Sequence, residues 1–308
     1  MNCWTLLLLS LVFISTSHAR NLTEVLSSTA GLSRLNLLLS FYPGLLDSFA
    51  SSETTLFAPS DEALDSFVLS QGGPSNVSME TLGNLLAYHT VPTRLTTPSL
   101  TGTGGRIIDT TLEAPEFSNL GGKANVVYAS AFGSIGQENE QGPLMLYSGV
   151  GGVANVTSAD VEFDGGVMHV VDQVFNFPRP CSQTVQLAGL NTLMDAFQRV
   201  NMWDTVNTTP NFTCFAPSDA AFQAAGLDVQ SLSTDRITNL LKYHLIEGEV
   251  GYSTALEDGK QYQTILGVPV TIHKRDGKLF VNNVTVNVGN IVMSNGVAHV
   301  LDGVGVLF

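Results

Sequence analysis

Three blocks of this chain occur twice, in the same order, and that repetition constrains the fold more than any other feature. Thr55-Leu-Phe-Ala-Pro-Ser-Asp-Glu-Ala63 returns as Thr213-Cys-Phe-Ala-Pro-Ser-Asp-Ala-Ala221, with seven of nine positions identical. Asn84-Leu-Leu-Ala-Tyr-His89 returns as Asn239-Leu-Leu-Lys-Tyr-His244, and Gly166-Val-Met-His-Val-Val-Asp-Gln-Val174 returns as Gly296-Val-Ala-His-Val-Leu-Asp-Gly-Val304. Pro59 precedes His89 by 30 positions and Pro217 precedes His244 by 27, but His89 to His169 is 80 positions and His244 to His299 is 55. The first copy therefore carries an insertion, expected in the Gly-rich stretch at about 101–146. A period this long excludes a solenoid and implies tandem domains, each large enough to bury its own core. Phe177-Pro-Arg-Pro-Cys181 breaks regular structure between them. The expected organisation is a cleaved leader at 1–19, a first domain at 20–177, a stiff Pro-containing linker at 178–183 and a second domain at 184–308.

Each block has a local reading. Thr-x-Phe-Ala alternates like a half-buried strand, which Pro59 or Pro217 ends. Ser60-Asp61 and Ser218-Asp219 then read as helix N-caps, with the carboxylate favoured at the positive end of the helix. The Tyr-His blocks read as helix ends at which the imidazole bonds the last carbonyls. Later stretches such as 268–273 and 278–288 alternate and are rich in Val, Ile and Thr, with Asp276-Gly277 as a tight hairpin turn. Helices precede strands in each copy, so the fold class is α+β.

The 27 acidic against 13 basic residues give a net charge of -14, which argues against nucleic acid or an anionic membrane as partner. Only 13% of residues are charged, while Ser, Thr and Asn make up about a quarter of the chain, so solubility rests on neutral polar groups. Residues 6–14 form an apolar run too short to span a bilayer, and Ser17 and Ala19 supply the small residues that precede signal cleavage. No transmembrane segment and no lipid-anchor tail are expected, and the localisation expected is extracellular or cell-surface, with the vacuole as an alternative. Six Asn-x-Ser/Thr sites, at Asn21, Asn76, Asn155, Asn207, Asn211 and Asn283, then read as glycosylation acceptors. Cys181 and Cys214 remain after the leader; they pair as a disulfide, or Cys214 is a small buried hydrophobe matching Leu56 of the first copy.

The three blocks resemble the signature regions of the fasciclin family, over nearly the whole chain and twice. The resemblance implies two tandem domains, each a wedge-shaped β-sandwich with several helices packed on one side. It implies a secreted or cell-surface protein of adhesion, cell wall or matrix, not generally enzymatic, whose partners are cell-surface or matrix proteins or glycans. The two-domain layout is similar to that of secreted fungal members. In family members that bind integrins, recognition is placed on the Tyr-His region and on an Asp-Ile pair before the third block. Tyr88-His89 and Tyr243-His244 match the first. Asp160-Val161 matches the second in the first copy, while Asn290-Ile291 lacks the carboxylate. Tyr88, His89, Asp160, Tyr243 and His244 are thus candidate partner-binding residues, or else the Tyr-His pairs are packed and hydrogen-bonded to hold the fold.

Chemistry finds less support. His169 and Asp172, like His299 and Asp302, are three apart on a strand and so face opposite ways. No Gly-x-Ser-x-Gly elbow supplies a nucleophile, and a buried, backbone-bonded histidine in each copy is the simpler reading. Scattered single histidines give no metal set, and the Gly-rich stretches lack the setting of a phosphate loop, so no cofactor is expected. A carrier holding a small apolar ligand between helices and sheet is the alternative function.

Overall fold

The computed structural model describes residues 20–51, 53–102, 104–131 and 142–305. The expected leader at 1–19 and residues 132–141 of the expected insertion lie outside them. The first copy runs α1 (Leu22–Ser28), α2 (Ser33–Ser40), α3 (Pro43–Ser51), β1 (Thr54–Pro59), α4 (Asp61–Ser70), α5 (Met79–Tyr88), β2 (Thr90–Val91), α6 (Thr97–Leu100), β3 (Arg106–Asp109), β4 (Val126–Ser130), β5 (Met145–Tyr147), β6 (Val153–Phe163) and β7 (Gly166–Val171). The second runs α7 (Cys181–Leu187), α8 (Asn191–Arg199), α9 (Trp203–Thr208), β8 (Phe212–Pro217), α10 (Asp219–Ala224), α11 (Thr234–Tyr243), β9 (Leu245–Glu247), β10 (Gln261–Gln263), β11 (Pro269–Arg275), β12 (Lys278–Val281), β13 (Val284–Met293) and β14 (Gly296–Leu301).

Strand order is β2-β1-β7-β6-β5-β4-β3 in one copy and β9-β8-β14-β13-β12-β11-β10 in the other, so the two topologies are the same. The helices come first, and β1 then pairs in parallel with the last strand, β7, as β8 does with β14. A Cβ on Gly166 would collide with the carbonyl oxygen of Thr54, and one on Gly296 with that of Phe212, so close approach of these strands requires the glycine that opens the third block. The long strand β6 pairs with β5 through residues 153–155 and with β7 through residues 156–163, which carries it from one layer to the other. Two register shifts bend it on the way, and β13 has the matching pair. This shared, bulged strand makes the wedge.

The expectation of a half-buried first strand is corrected. Every residue of β1 and of β8 is buried, because each lies inside its sheet with both faces covered. Ser60 and Ser218 do cap the next helices, accepting from Ala63 N at 3.2 Å and Ala221 N at 3.1 Å. Asp276 and Gly277 form the β11–β12 turn with φ of 51° and 71°. Asp172 lies just beyond β7, and its carboxylate accepts from Asn155 N and Nδ2 instead of facing His169.

The extra length of the first copy is divided. β3 and β4 are separated by residues 110–125, against 264–268 between β10 and β11. β4 and β5 are separated by residues 131–144, against only 276–277 between β11 and β12. The expected linker is shorter than 178–183, since α7 starts at Cys181 with Pro180 as its cap.

One apolar core belongs to the first copy alone, with Leu26, Leu35, Leu39 and Phe49 from the helices against Leu56, Leu146 and Met168 from the sheet. A second belongs to the other copy alone, with Val185, Leu193, Phe197 and Phe222 against Phe212, Met293 and Ala298. Between the copies, Ile107 and Val126 of the first pack with Val250, Tyr252, Val292 and Val297 of the second.

Candidate functional site

The two Tyr-His pairs are built alike. Helix α5 ends at Tyr88 with His89 as its cap, and α11 ends at Tyr243 with His244. His89 Nδ1 donates to Leu85 O at 2.8 Å, and its Nε2 accepts from Phe175 N at 3.1 Å. His244 Nδ1 donates to Leu240 O at 2.7 Å, and its Nε2 accepts from Gly305 N at 3.2 Å. Each imidazole therefore ties its helix end to the segment that follows the last strand. The His89 ring also stacks on Phe175 at 4.1 Å. Burial pushes both imidazoles down to about 4, against a helix carbonyl that pulls the other way, so both are neutral. Tyr88 is fully buried and donates to Val126 O at 2.9 Å; Tyr243 accepts from Asn282 Nδ2 at 2.9 Å.

The histidine of the third block has its own repeated geometry. His169 Nε2 donates to Leu95 O and His299 Nε2 to Gly251 O, both at 2.8 Å. The other ring nitrogen accepts from the backbone of the bulge residue, Asp160 N at 3.3 Å and Asn290 N at 3.4 Å. Asp160 and Asn290 occupy equivalent left-handed positions, with φ of 54° and 57°, which Asp and Asn tolerate better than most residues. Their side chains do the same work: Asp160 Oδ1 accepts from Thr97 N and Asn290 Oδ1 from Ser253 N, both at 2.9 Å. Asn290 Nδ2 adds a bond to Ser253 Oγ. Burial raises the Asp160 carboxyl, but the Thr97 hydrogen bonds and the neighbouring His169 and Arg94 outweigh it and hold it below the usual range.

Of the candidate partner-binding residues, the structure brings only Asp160 to the surface. Tyr88 and His89 are interior, and Tyr243 and His244 nearly so; their rings fill the junction between the helix end, the sheet and the chain that follows, as expected of pairs packed and hydrogen-bonded to hold the fold. Sequence reasoning missed a further role of the Ser-Asp pairs. Asp61 accepts from Arg34 N and Ser33 Oγ, and Asp219 from Thr192 N and Asn191 Nδ2. Each carboxylate thus caps an earlier helix, α2 or α8, while sitting in the first turn of its own. Its recurrence in both copies was the available signal.

The inserted loop joins the domains. Asn119 N donates to Ser294 O at 2.6 Å, Asn119 Nδ2 to Thr208 O at 3.0 Å, and Asn125 Nδ2 to Met293 O at 3.1 Å. Val150 N donates to Val292 O, and the linker carbonyl of Arg179 accepts from Ser294 N at 2.9 Å. Asn21, Asn76 and Asn283 are exposed. Asn155 Nδ2 is engaged by Asp172 and Asn207 Nδ2 by Ser182, while Asn211 packs beside Gly121 at the domain junction. Among the described residues no three His, Cys, Asp or Glu side chains group in a way that could hold a metal ion, and no helix is long and apolar enough to cross a membrane.

The fasciclin domain family matches residues 30–177 and again 188–305. The chain is 28% identical to a fasciclin-like arabinogalactan protein of Phaeosphaeria nodorum, elcF, over 99% of this chain and 92% of that one. It is 26% identical to human periostin over 81% of this chain and only 28% of periostin. It is 32% identical to the cell surface glycolipoprotein MPB83 of Mycobacterium bovis over 34% of this chain and 47% of that protein. With both domain matches falling on the two copies of the same fold, the chain belongs to the fasciclin family.

Proposed function

We propose that this chain is a secreted glycoprotein that makes adhesive contacts with cell-surface, cell-wall or matrix proteins or glycans, through the outer faces of its two docked domains and without chemistry of its own. The observation that carries the reading is the fate of the repeated motif residues. The histidines of both Tyr-His pairs and both third-block histidines have their ring nitrogens bonded to backbone in the interior, which occupies them structurally and supports recognition by surface groups instead. A relative named as an arabinogalactan protein and another named as a cell surface glycolipoprotein support the placement. Asn21, Asn76 and Asn283 are the exposed acceptors, with Asn76 Nδ2 donating to Gln71 O, and Asp160 is the exposed member of the candidate partner-binding residues. Two domains held at one orientation add avidity when both engage one surface.

The test is solid-phase binding of protein purified from culture medium to cells and to wall or matrix polymers. Saturable binding that both isolated partner protein and isolated partner glycan can be scored against is expected. Binding no greater than that of an acidic control protein overturns the proposal.

A further inference from the structure

The two cysteines occupy positions that the repeat places together in the core of each domain. Arg179 O accepts from Ser294 N just as Arg20 O accepts from Asp164 N, both at 2.9 Å, which sets α7 on α1 residue for residue. Cys181, first residue of α7, is then the counterpart of Leu22, first residue of α1. In the strands, Cys214 lies opposite Ala298 as Leu56 lies opposite Met168, so Cys214 is the counterpart of Leu56. Leu22 and Leu56 belong to one buried cluster in the first copy, and Cys181 and Cys214 to one buried cluster in the second. The second copy has Cys at both positions where the first has Leu. Both thiols are unbonded in the structure, and the neighbouring Cys214 together with burial pushes the Cys181 thiol up.

We infer that Cys181 and Cys214 are joined by a disulfide in the exported protein, a crosslink that fixes the helix following the linker to strand β8 of the second domain's sheet. The inference rests on the export part of the proposed function, because the extracellular route supplies the oxidant. Two thiols lose two protons and two electrons to form one S–S bond. The electrons reduce the disulfide of a thiol–disulfide oxidoreductase by exchange through a mixed disulfide. Both sulfurs are buried in the finished fold, so the exchange precedes closure of the core.

Protein from culture medium is denatured and alkylated with N-ethylmaleimide, with and without prior reduction. The expected result is no label without reduction, two labels after it, and a proteolytic peptide pair linking 181 to 214. Two labels without reduction overturn the inference. Should the chain not be found in medium, export fails and the pairing is tested separately. Protein refolded from guanidinium with reduced and oxidised glutathione is expected to show the same linked peptides, whereas free thiols or glutathione adducts on both cysteines overturn it. The double variant Cys181→Leu/Cys214→Leu restores the first copy's pair and keeps the core filled. It is expected to fold and to melt about 10 °C below the crosslinked protein, as loss of a loop-closing disulfide implies. Equal melting temperatures for wild type with and without reductant contradict a structural crosslink.

Discussion

The same corner of the fold faces water in one domain and its neighbour in the other. Thr55 Oγ1 donates to Thr93 O and accepts from Leu95 N, and Thr213 Oγ1 donates to Glu249 O and accepts from Gly251 N, so Arg94 and Val250 are equivalent. Counting back from Gly166 and Gly296, Glu162 and Val292 are equivalent too. In the first domain Arg94 and Glu162 form an exposed ion pair. In the second, Val292 is fully buried and packs with Val250 against Val126 of the first domain. The interior histidines make matching backbone hydrogen bonds in the two copies, whereas this corner is charged in the first and apolar in the second. An exposed terminal face needs polar groups for solubility, and a docked face gains by burying apolar ones. The clamp on the other side of the joint is equally one-sided, since the 110–125 loop that supplies Asn119 and Asn125 has only 264–268 as its counterpart.

The largest expected effect is of acid, and it is unequal between the domains. His89, His244 and His299 are held at about 4 by burial, below the ordinary 6.5 of an exposed imidazole. The unfolded chain therefore takes up these protons first. Their contribution to stability is complete above pH 6.5 and is lost as pH falls towards 4, at roughly 3 kcal/mol per histidine by pH 4. The second domain holds two of the three. His169, the first domain's counterpart of His299, is also lowered by burial, but Leu95 O and the Asp160 carboxylate pull it back. Between pH 6.5 and 4 the second domain should unfold first, read by amide exchange of β8 against β1; simultaneous loss breaks the asymmetry.

Next in size, Val292→Glu puts the first domain's residue into the second domain's buried corner. A loss of roughly 2–4 kcal/mol is expected for an unpaired charge there. Urea unfolding should separate into two transitions as the domains undock, while a single unchanged transition argues against the apolar joint. His89→Ala and His244→Ala each leave a helix carbonyl and a downstream N–H without their partner, at roughly 2–4 kcal/mol by denaturation, with the larger cost expected at His89 because its ring also stacks on Phe175.

Smaller still, Asp160→Asn installs the second domain's residue and should shift stability by no more than about 0.5 kcal/mol, while Asp160→Ala removes the bond to Thr97 N at about 1 kcal/mol. Binding measured on the same Asp160→Asn protein sharpens the point: a drop without a stability change locates a partner on the carboxylate. Glu162→Ala, which breaks the exposed pair, should cost about 0–1 kcal/mol.

The duplication, the α+β class, the Ser caps, the Asp276-Gly277 turn and the backbone-bonded third-block histidines were legible because each rests on local chemistry or on comparing one half of the chain with the other. The burial of both faces of β1 was not, since Thr55 reads as a surface residue until its hydroxyl is seen bonding Thr93 and Leu95 across the sheet. Nor was the division of the insertion between two hairpins, because length differences carry no position once the flanking blocks are far apart. Whether Tyr88 lies inside or outside depends on Val126 arriving from 38 residues away, a contact no local pattern encodes.

Nitrogen-15 NMR of the histidine rings from pH 7 to pH 5 probes most directly whether the repeated motif works as internal scaffolding. The structure requires the Nδ1–H tautomer at His89 and His244 and the Nε2–H tautomer at His169 and His299. Four neutral rings with fixed tautomers at pH 7, with His89, His244 and His299 still neutral at pH 5, are the result expected. Rings that titrate near the ordinary 6.5 in fast exchange would place these histidines in contact with water and return the motif to the protein's surface.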